Sequence, residues 1–348
     1  MQAAINYGLA SRLGCALVPP GPPATHLEAL HLVEDLHRAA GAALGSVAEI
    51  TGLHQASEQA AQVPVAVVDR RGFVKANVQM AQSLADVALE GQDLSWPARA
   101  MAGGQLGAIM AALSARVLGQ FDPFYQVNDS DTRRGRVLLV APNVLRFELE
   151  LKADPSDFHL WVALHELTHA AQVAAAPWLP DWIRDHLAEL VLIDDSPGAL
   201  QRVTRAARQL PGILADKSDL PAKVVGLFSP AQSYIFQEVT AAMSLLEGHA
   251  DVIMDAVGPK VVRSVDQLRP RFDARRVAQG RLDRAARRLI GLEAKTAQYV
   301  QGAKFVRSVL NQVGHEGLNL VFTGPDALPT AQEMDNPDAW VARVARSA

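Results

Sequence analysis

The stretch from Asp154 to Ala175 constrains this chain more than any other part of its 348 residues. Asp154-Pro155-Ser156-Asp157 has the composition of a helix start, with proline tolerated in the first turn and acidic groups set against the positive end of the helix dipole. The helix is expected to run to about Ala175, where Pro177 and Pro180 stop it. Inside it, the run from Val162 to Ala170 carries a single acid, Glu166, among apolar and neutral residues. A helix this apolar has to be buried. The fold must therefore wrap around this segment and find a use for its polar side chains.

Those side chains are His165, Glu166 and His169. Two histidines four apart project from one helix face, about 5 to 6 Å from each other, so both imidazoles can hold one zinc ion. Glu166 lies on the neighbouring face, where it can act as general base toward a water that the metal activates. The alternative is a pair of buried core histidines with no ligand role. Catalytic zinc commonly has three protein ligands. Glycine and histidine three and six residues after the second histidine would mark a metzincin, but those positions hold Gln172 and Ala175.

Glu189 and Glu247 compete for the third place, with His249 as a further alternative. Glu247 is favoured because Asp251 follows it by one helical turn and can accept the free ring N–H of a ligating histidine. Gly248 is expected to clear space next to the metal. Glu189 sits among Asp185, His186 and Asp194, in the pattern of a wet helix face. For stabilising an oxyanion, Tyr299, one turn after Lys295, competes with Tyr234 and His249.

Elsewhere the chain reads as mainly helical. Pro19 to Pro23 closes an opening segment, and Thr25-x-x-Glu28 makes a capping box for a helix over about 26–44. Val63 to Asp69 and Val137 to Val140 are strand candidates, the second closed by Ala141-Pro142-Asn143. Helices are expected over about 74–88, 97–118, 199–209, 231–257 and 273–312, with another opened by Asp181. Gly103 and Gly107 would let a second helix approach closely. Three parts are expected within one continuous unit: a mainly helical 1–130 with a short strand, a metal-binding core 131–258, and a helical 259–348.

Composition excludes several function classes. A net charge of −4 offers no global attraction to nucleic acid. Eight arginines between Arg269 and Arg288 are better explained as a solvated helix face than as a nucleic-acid surface. The uncharged run Ala100 to Ala115 is too short to span a membrane, and the first residues do not form a secretory signal. One cysteine, Cys15, permits neither an internal disulfide nor a thiolate cage, which favours the cytoplasm and a metal held by imidazole and carboxylate.

The sequence also resembles the zincin-like metallopeptidase type 2 family of bacterial proteins, some of them associated with coenzyme F-420 biosynthesis. The resemblance is carried by Leu17-Val18-Pro19-Pro20-Gly21-Pro22, Val68-Asp69-Arg70, Val74-x-Ala76-Asn77, Leu118-Gly119-Gln120-Phe121-Asp122-Pro123, Ala141-Pro142-Asn143, Leu160 to Glu166 and Glu247-Gly248-His249-Ala250-Asp251. It implies a mainly helical α+β, gluzincin-like fold, with Val137 to Val140 in a small sheet beside the active-site helix. It also implies zinc held by His165, His169 and Glu247. The expected activity is hydrolysis of a peptide or small amide; a zinc-stabilised scaffold is the alternative, and oligomeric state is left open.

Overall fold

The computed structural model describes residues 4–88, 95–126, 135–192, 229–278 and 292–346. Helices dominate: α1 (Tyr7–Leu17), α2 (His26–Thr51), α3 (His54–Ala60), α4 (Arg70–Ala88), α5 (Trp96–Ser114), α6 (Ala141–Leu151), α7 (Pro155–Ala175) and α8 (Leu179–Leu192). They are followed by α9 (Pro230–Ala256), α10 (Val265–Ala278) and α11 (Leu292–Asn319), and short helices close the chain. No described helix is long and apolar enough to cross a membrane.

Three strands, β1 (Val65–Val68), β2 (Gly119–Asp122) and β3 (Arg136–Val140), form one sheet in the order β1-β3-β2. β3 runs parallel to β1 and antiparallel to β2, with Gly119 opposite Leu139 and Phe121 opposite Val137. Val137 to Val140 are wholly buried at the centre, as their apolar run predicts. β2 is an edge strand that the local sequence does not announce. The expected helix over 97–118 instead ends at Ser114, and the chain enters β2 five residues later. Ala141-Pro142-Asn143 does not merely close a strand: Pro142 sits in the first turn of α6.

Local signals account for most helix starts. Thr25 and Glu28 form the expected capping box, and Asp154 accepts the Asp157 N–H at 3.0 Å. α2 continues past residue 44 to Thr51, where Gly52 turns the chain with φ 74°. Gly103 and Gly107 take α1 against α5: a Cβ on Gly107 would lie 2.5 Å from the Ala10 carbonyl oxygen. The expected 273–312 helix is instead α10 and α11, with the residues between them outside the description. The expected 199–209 helix also lies outside the described residues.

Two apolar clusters meet along α7. One gathers α2, β3, α6, α7 and the end of α9, from Leu36 to Leu268; the other packs α9 against α11 and the C-terminal turns. α9 and α11 cross backbone to backbone, because a Cβ on Gly248 would overlap the Gly302 carbonyl and one on Gly302 would overlap the Ser244 carbonyl. Gly248 thus serves a helix crossing, where the sequence suggested clearance for a metal.

A polar knot fixes the approach to β2. The buried Arg70 guanidinium donates to Asn143 Oδ1 at 2.8 Å and to the carbonyls of Pro19 and Pro20. Asn143 Nδ2 donates to the carbonyls of Ser114 at 2.8 Å and Val117 at 2.6 Å. Three of the sequence blocks quoted above therefore meet at one point and set where α5 stops.

Candidate metal centre

His165 and His169 stand one turn apart on α7, with ring planes at 89° and Nε2 atoms 3.3 Å apart. Glu247 on α9 brings Oε2 to 3.4 Å from His165 Nε2 and 3.6 Å from His169 Nε2. Three donor atoms thus form a nearly equilateral triangle. A tetrahedral zinc site with bonds of about 2.0 to 2.1 Å has edges of about 3.3 to 3.4 Å. Two imidazole nitrogens and one carboxylate oxygen at this spacing fit such an ion, and among the described residues these three form the group able to hold one.

The electrostatics are those of a cage built for a cation. Burial opposes a charged ring at His165, yet its hydrogen bond to Glu247 and the charges of Glu166, Glu247 and Asp251 push it up to about 9. His169 is raised against burial in the same way, chiefly by Glu247. Burial also opposes ionisation of Glu247, but the two histidines outweigh it and hold the carboxyl well below the usual range. Without a metal, protons supply the positive charge that the carboxylates demand.

Glu166 is buried, and burial raises its carboxyl despite the offsetting histidines. It makes no hydrogen bond or ion pair among the described residues. Its side chain lies against Gly119 at the start of β2, where a Cβ would sit 2.6 Å from Glu166 Cγ. His165, Glu166, His169 and Glu247 open into a cleft of about 1160 Å³ whose walls include Leu118, Phe121 and Met243.

Around the donors lies a ring of supports. Asp251 Oδ1 faces His165 Nδ1 at 3.8 Å and receives Arg269 Nη2 at 3.3 Å, while Arg269 Nε donates to Asp255 at 3.0 Å and its guanidinium sits over Trp161. On the other side, His169 Nδ1 donates to Gln172 Oε1 at 2.9 Å. Gln172 Nε2 donates to the Leu246 carbonyl and to His249 Nδ1, both at 2.9 Å.

The structure brings together His165, Glu166, His169, Glu247 and Asp251, and leaves other candidates elsewhere. Glu189 is on the exposed side of α8. Tyr234 is 61% exposed and pairs with Glu238. His249 is fully buried behind Gln172, outside the donor triangle; burial and the charges of His315 and His169 push it down to about 3. The side chains of Lys295 and Tyr299 lie outside the described residues. Of the arginine-rich stretch, Arg269 serves the centre, Arg271 donates to the Lys152 carbonyl, and Arg275 pairs with Glu150 and covers the Phe147 ring. Gln172, Gly119 and Arg269 were missed by motif reasoning. A lone amide one turn after the second histidine of a buried helix was the one available signal.

A family model for zincin-like metallopeptidases matches residues 5–341. The chain belongs to the zincin-like metallopeptidase family. This member is also similar to a crystal structure from Chloroflexus aurantiacus described as a "putative hydrolase with a novel fold". The two are 26% identical, with 97% of this chain and 98% of that chain covered at a TM-score of 0.62. Among curated proteins none matches.

Proposed function

We propose that this zincin-like protein is a zinc-dependent hydrolase that cleaves peptide bonds. The observation that carries the reading is the donor triangle, spaced for a tetrahedral ion, beside a buried carboxylate that makes no hydrogen bond or ion pair among the described residues. An ionisable group kept in that state costs free energy unless it is used. His165, His169 and Glu247 would hold zinc, which supplies Lewis acidity, making water nucleophilic near neutral pH and polarising a carbonyl.

Glu166 takes the proton from the attacking water and returns it to the leaving amine nitrogen. Burial helps here, because a carboxyl raised toward neutrality can hold the proton between the two transfers. Held by two neutral imidazoles and one carboxylate, a divalent ion would keep net positive charge and so would favour negative charge developing on the substrate carbonyl. Apolar side chains of Leu118, Phe121 and Met243 in the cleft wall lower the local dielectric, which strengthens the electrostatic interactions made there. Beyond β3, the outer edge of β2 is unpaired among the described residues, so an extended peptide can add to it as a further strand alongside Glu166. The family membership and the hydrolase description of the Chloroflexus aurantiacus protein support the same class.

The test is Glu166→Gln, which keeps size and helix propensity but cannot take a proton. On a peptide library, wild type is expected to cleave, and the variant to lose at least ~10²-fold with zinc content and melting temperature unchanged. Equal cleavage by both proteins overturns the assignment of Glu166. A zinc-loaded wild type that cleaves nothing, with a stabilised Glu166→Gln, supports the zinc-stabilised scaffold instead.

A further inference from the structure

Gln172 occupies a position that neither the motif nor the donor triangle explains. It is 1% exposed, one turn beyond His169, and its amide makes three hydrogen bonds of 2.9 Å. Their directions follow from one fixed partner. The Leu246 carbonyl can only accept, so the amide end facing it must be the nitrogen. The same nitrogen donates its second hydrogen to His249 Nδ1, which places the His249 proton on Nε2. The amide oxygen then faces His169 Nδ1 and can only accept, so Nδ1 carries the hydrogen. His169 Nε2, the atom facing His165 and Glu247, is left with its lone pair free for a metal.

We propose that Gln172 is the positioning residue of the metal centre: its amide, anchored by the Leu246 carbonyl, holds His169 in the Nδ1–H tautomer with Nε2 turned to the other two donors. The anchor is the residue immediately before Glu247. Gln172 therefore fixes the second histidine of α7 and ties it to the turn of α9 that carries the third ligand. The two histidines are supported differently. His165 has the Asp251 carboxylate on its far nitrogen, whereas His169 has a neutral acceptor that cannot rotate, since a flipped amide would set its oxygen against the Leu246 oxygen. This inference rests on the metal-binding part of the proposed function and does not depend on peptide cleavage.

The experiment compares zinc affinity and melting temperature of the full-length protein with Gln172→Met and Gln172→Glu, using chelator competition with zinc alone. Methionine keeps the bulk and removes every hydrogen bond. Glutamate keeps an acceptor for His169 Nδ1–H but puts a buried negative charge against the Leu246 carbonyl. A positioning role predicts opposite orders. Gln172→Met loses roughly 10 to 100-fold in zinc affinity, the usual cost of an outer partner, and Gln172→Glu binds more tightly than Gln172→Met while melting below it. If zinc affinity simply follows melting temperature, or if Gln172→Met binds zinc as wild type does, the proposal is overturned.

Should Gln172→Glu fail to fold, ¹⁵N-histidine spectra of the zinc-loaded protein decide. His169 Nδ1–H is expected to resist solvent exchange in wild type and to exchange freely in Gln172→Met; an unprotected Nδ1–H in wild type overturns the proposal. A wild type that takes up no zinc removes the metal-centre reading and this inference together. Equal affinity in wild type and Gln172→Met removes the inference alone.

Discussion

Gly119→Ala perturbs the centre through a single methyl group. The backbone at Gly119 lies outside the left-handed region, so alanine adopts it without strain. The cost is steric: the new Cβ lies 2.6 Å from Glu166 Cγ, 2.8 Å from Cδ and 2.9 Å from Oε1. Carbon atoms settle at about 3.5 to 4.0 Å, so something must retreat by about 1 Å. β2 is paired to β3, and the Asn143 bond to the Val117 carbonyl fixes its approach, whereas among the described residues no hydrogen bond holds the Glu166 carboxylate. The side chain is the part that yields. A shift of about 1 Å in a reacting group costs on the order of 10²-fold in rate, and forcing one methyl into a packed site costs about 1 to 3 kcal/mol. Turnover of a library peptide should therefore fall toward the Glu166→Gln level with zinc content intact and melting lowered by a few degrees. Turnover within about threefold of wild type, with zinc bound, would refute the placement of Glu166 as the base.

Other consequences can be measured without a substrate. His165→Ala, His169→Ala and Glu247→Ala should each abolish tight zinc binding in equilibrium dialysis while Glu189→Ala keeps it; the reverse result for the two glutamates would transfer the ligand role. Asp251→Ala should weaken zinc by roughly 10 to 100-fold, and an unchanged affinity would reduce Asp251 to a partner of Arg269. In chelated protein His165 is raised to about 9, chiefly by Glu247 working against burial. Its contribution to stability is complete below the ordinary histidine value and is lost as pH climbs through about 9. Thermal melts of chelated protein should fall across that window while zinc-loaded protein holds steady; a flat chelated profile contradicts the cage. Asn143→Ala strands the Arg70 Nε–H and the carbonyls of Ser114 and Val117, so chemical denaturation should show a loss of at least about 3 kcal/mol. A loss under about 1 kcal/mol would mean that the knot carries little of the fold.

What was legible in the sequence was local. The Asp154 cap, the i, i+4 histidines and the turn from Glu247 to Asp251 are properties of single helices, and each appears where periodicity puts it. Gly103 and Gly107 announced a close helix contact because nothing else explains two glycines on one helix face. β2 was not legible, since Gly119-Gln120-Phe121-Asp122 has no β-branched residue and becomes a strand through its register with β3. The early end of α5 has the same kind of cause: an asparagine 29 positions later takes the Ser114 carbonyl. His249 drew attention as a polar residue beside Glu247. But i and i+2 point to different sides of a helix, and its ring meets Gln172 instead of the donors.

The glycine crossing of α9 and α11 sets how this centre can be inherited or transplanted. Glu247 sits beside a contact with no side chain in it to deform, so the height of the donor above α7 is decided by where the backbone of a helix some 50 residues downstream comes to rest. Neither glycine can drift alone. Any larger residue at position 248 or 302 pushes the two rods apart and carries the carboxylate with them. A miniature made from α7 and α9 would keep every donor and lose the backstop, so the smallest portable unit of the metal centre includes the C-terminal third of the chain.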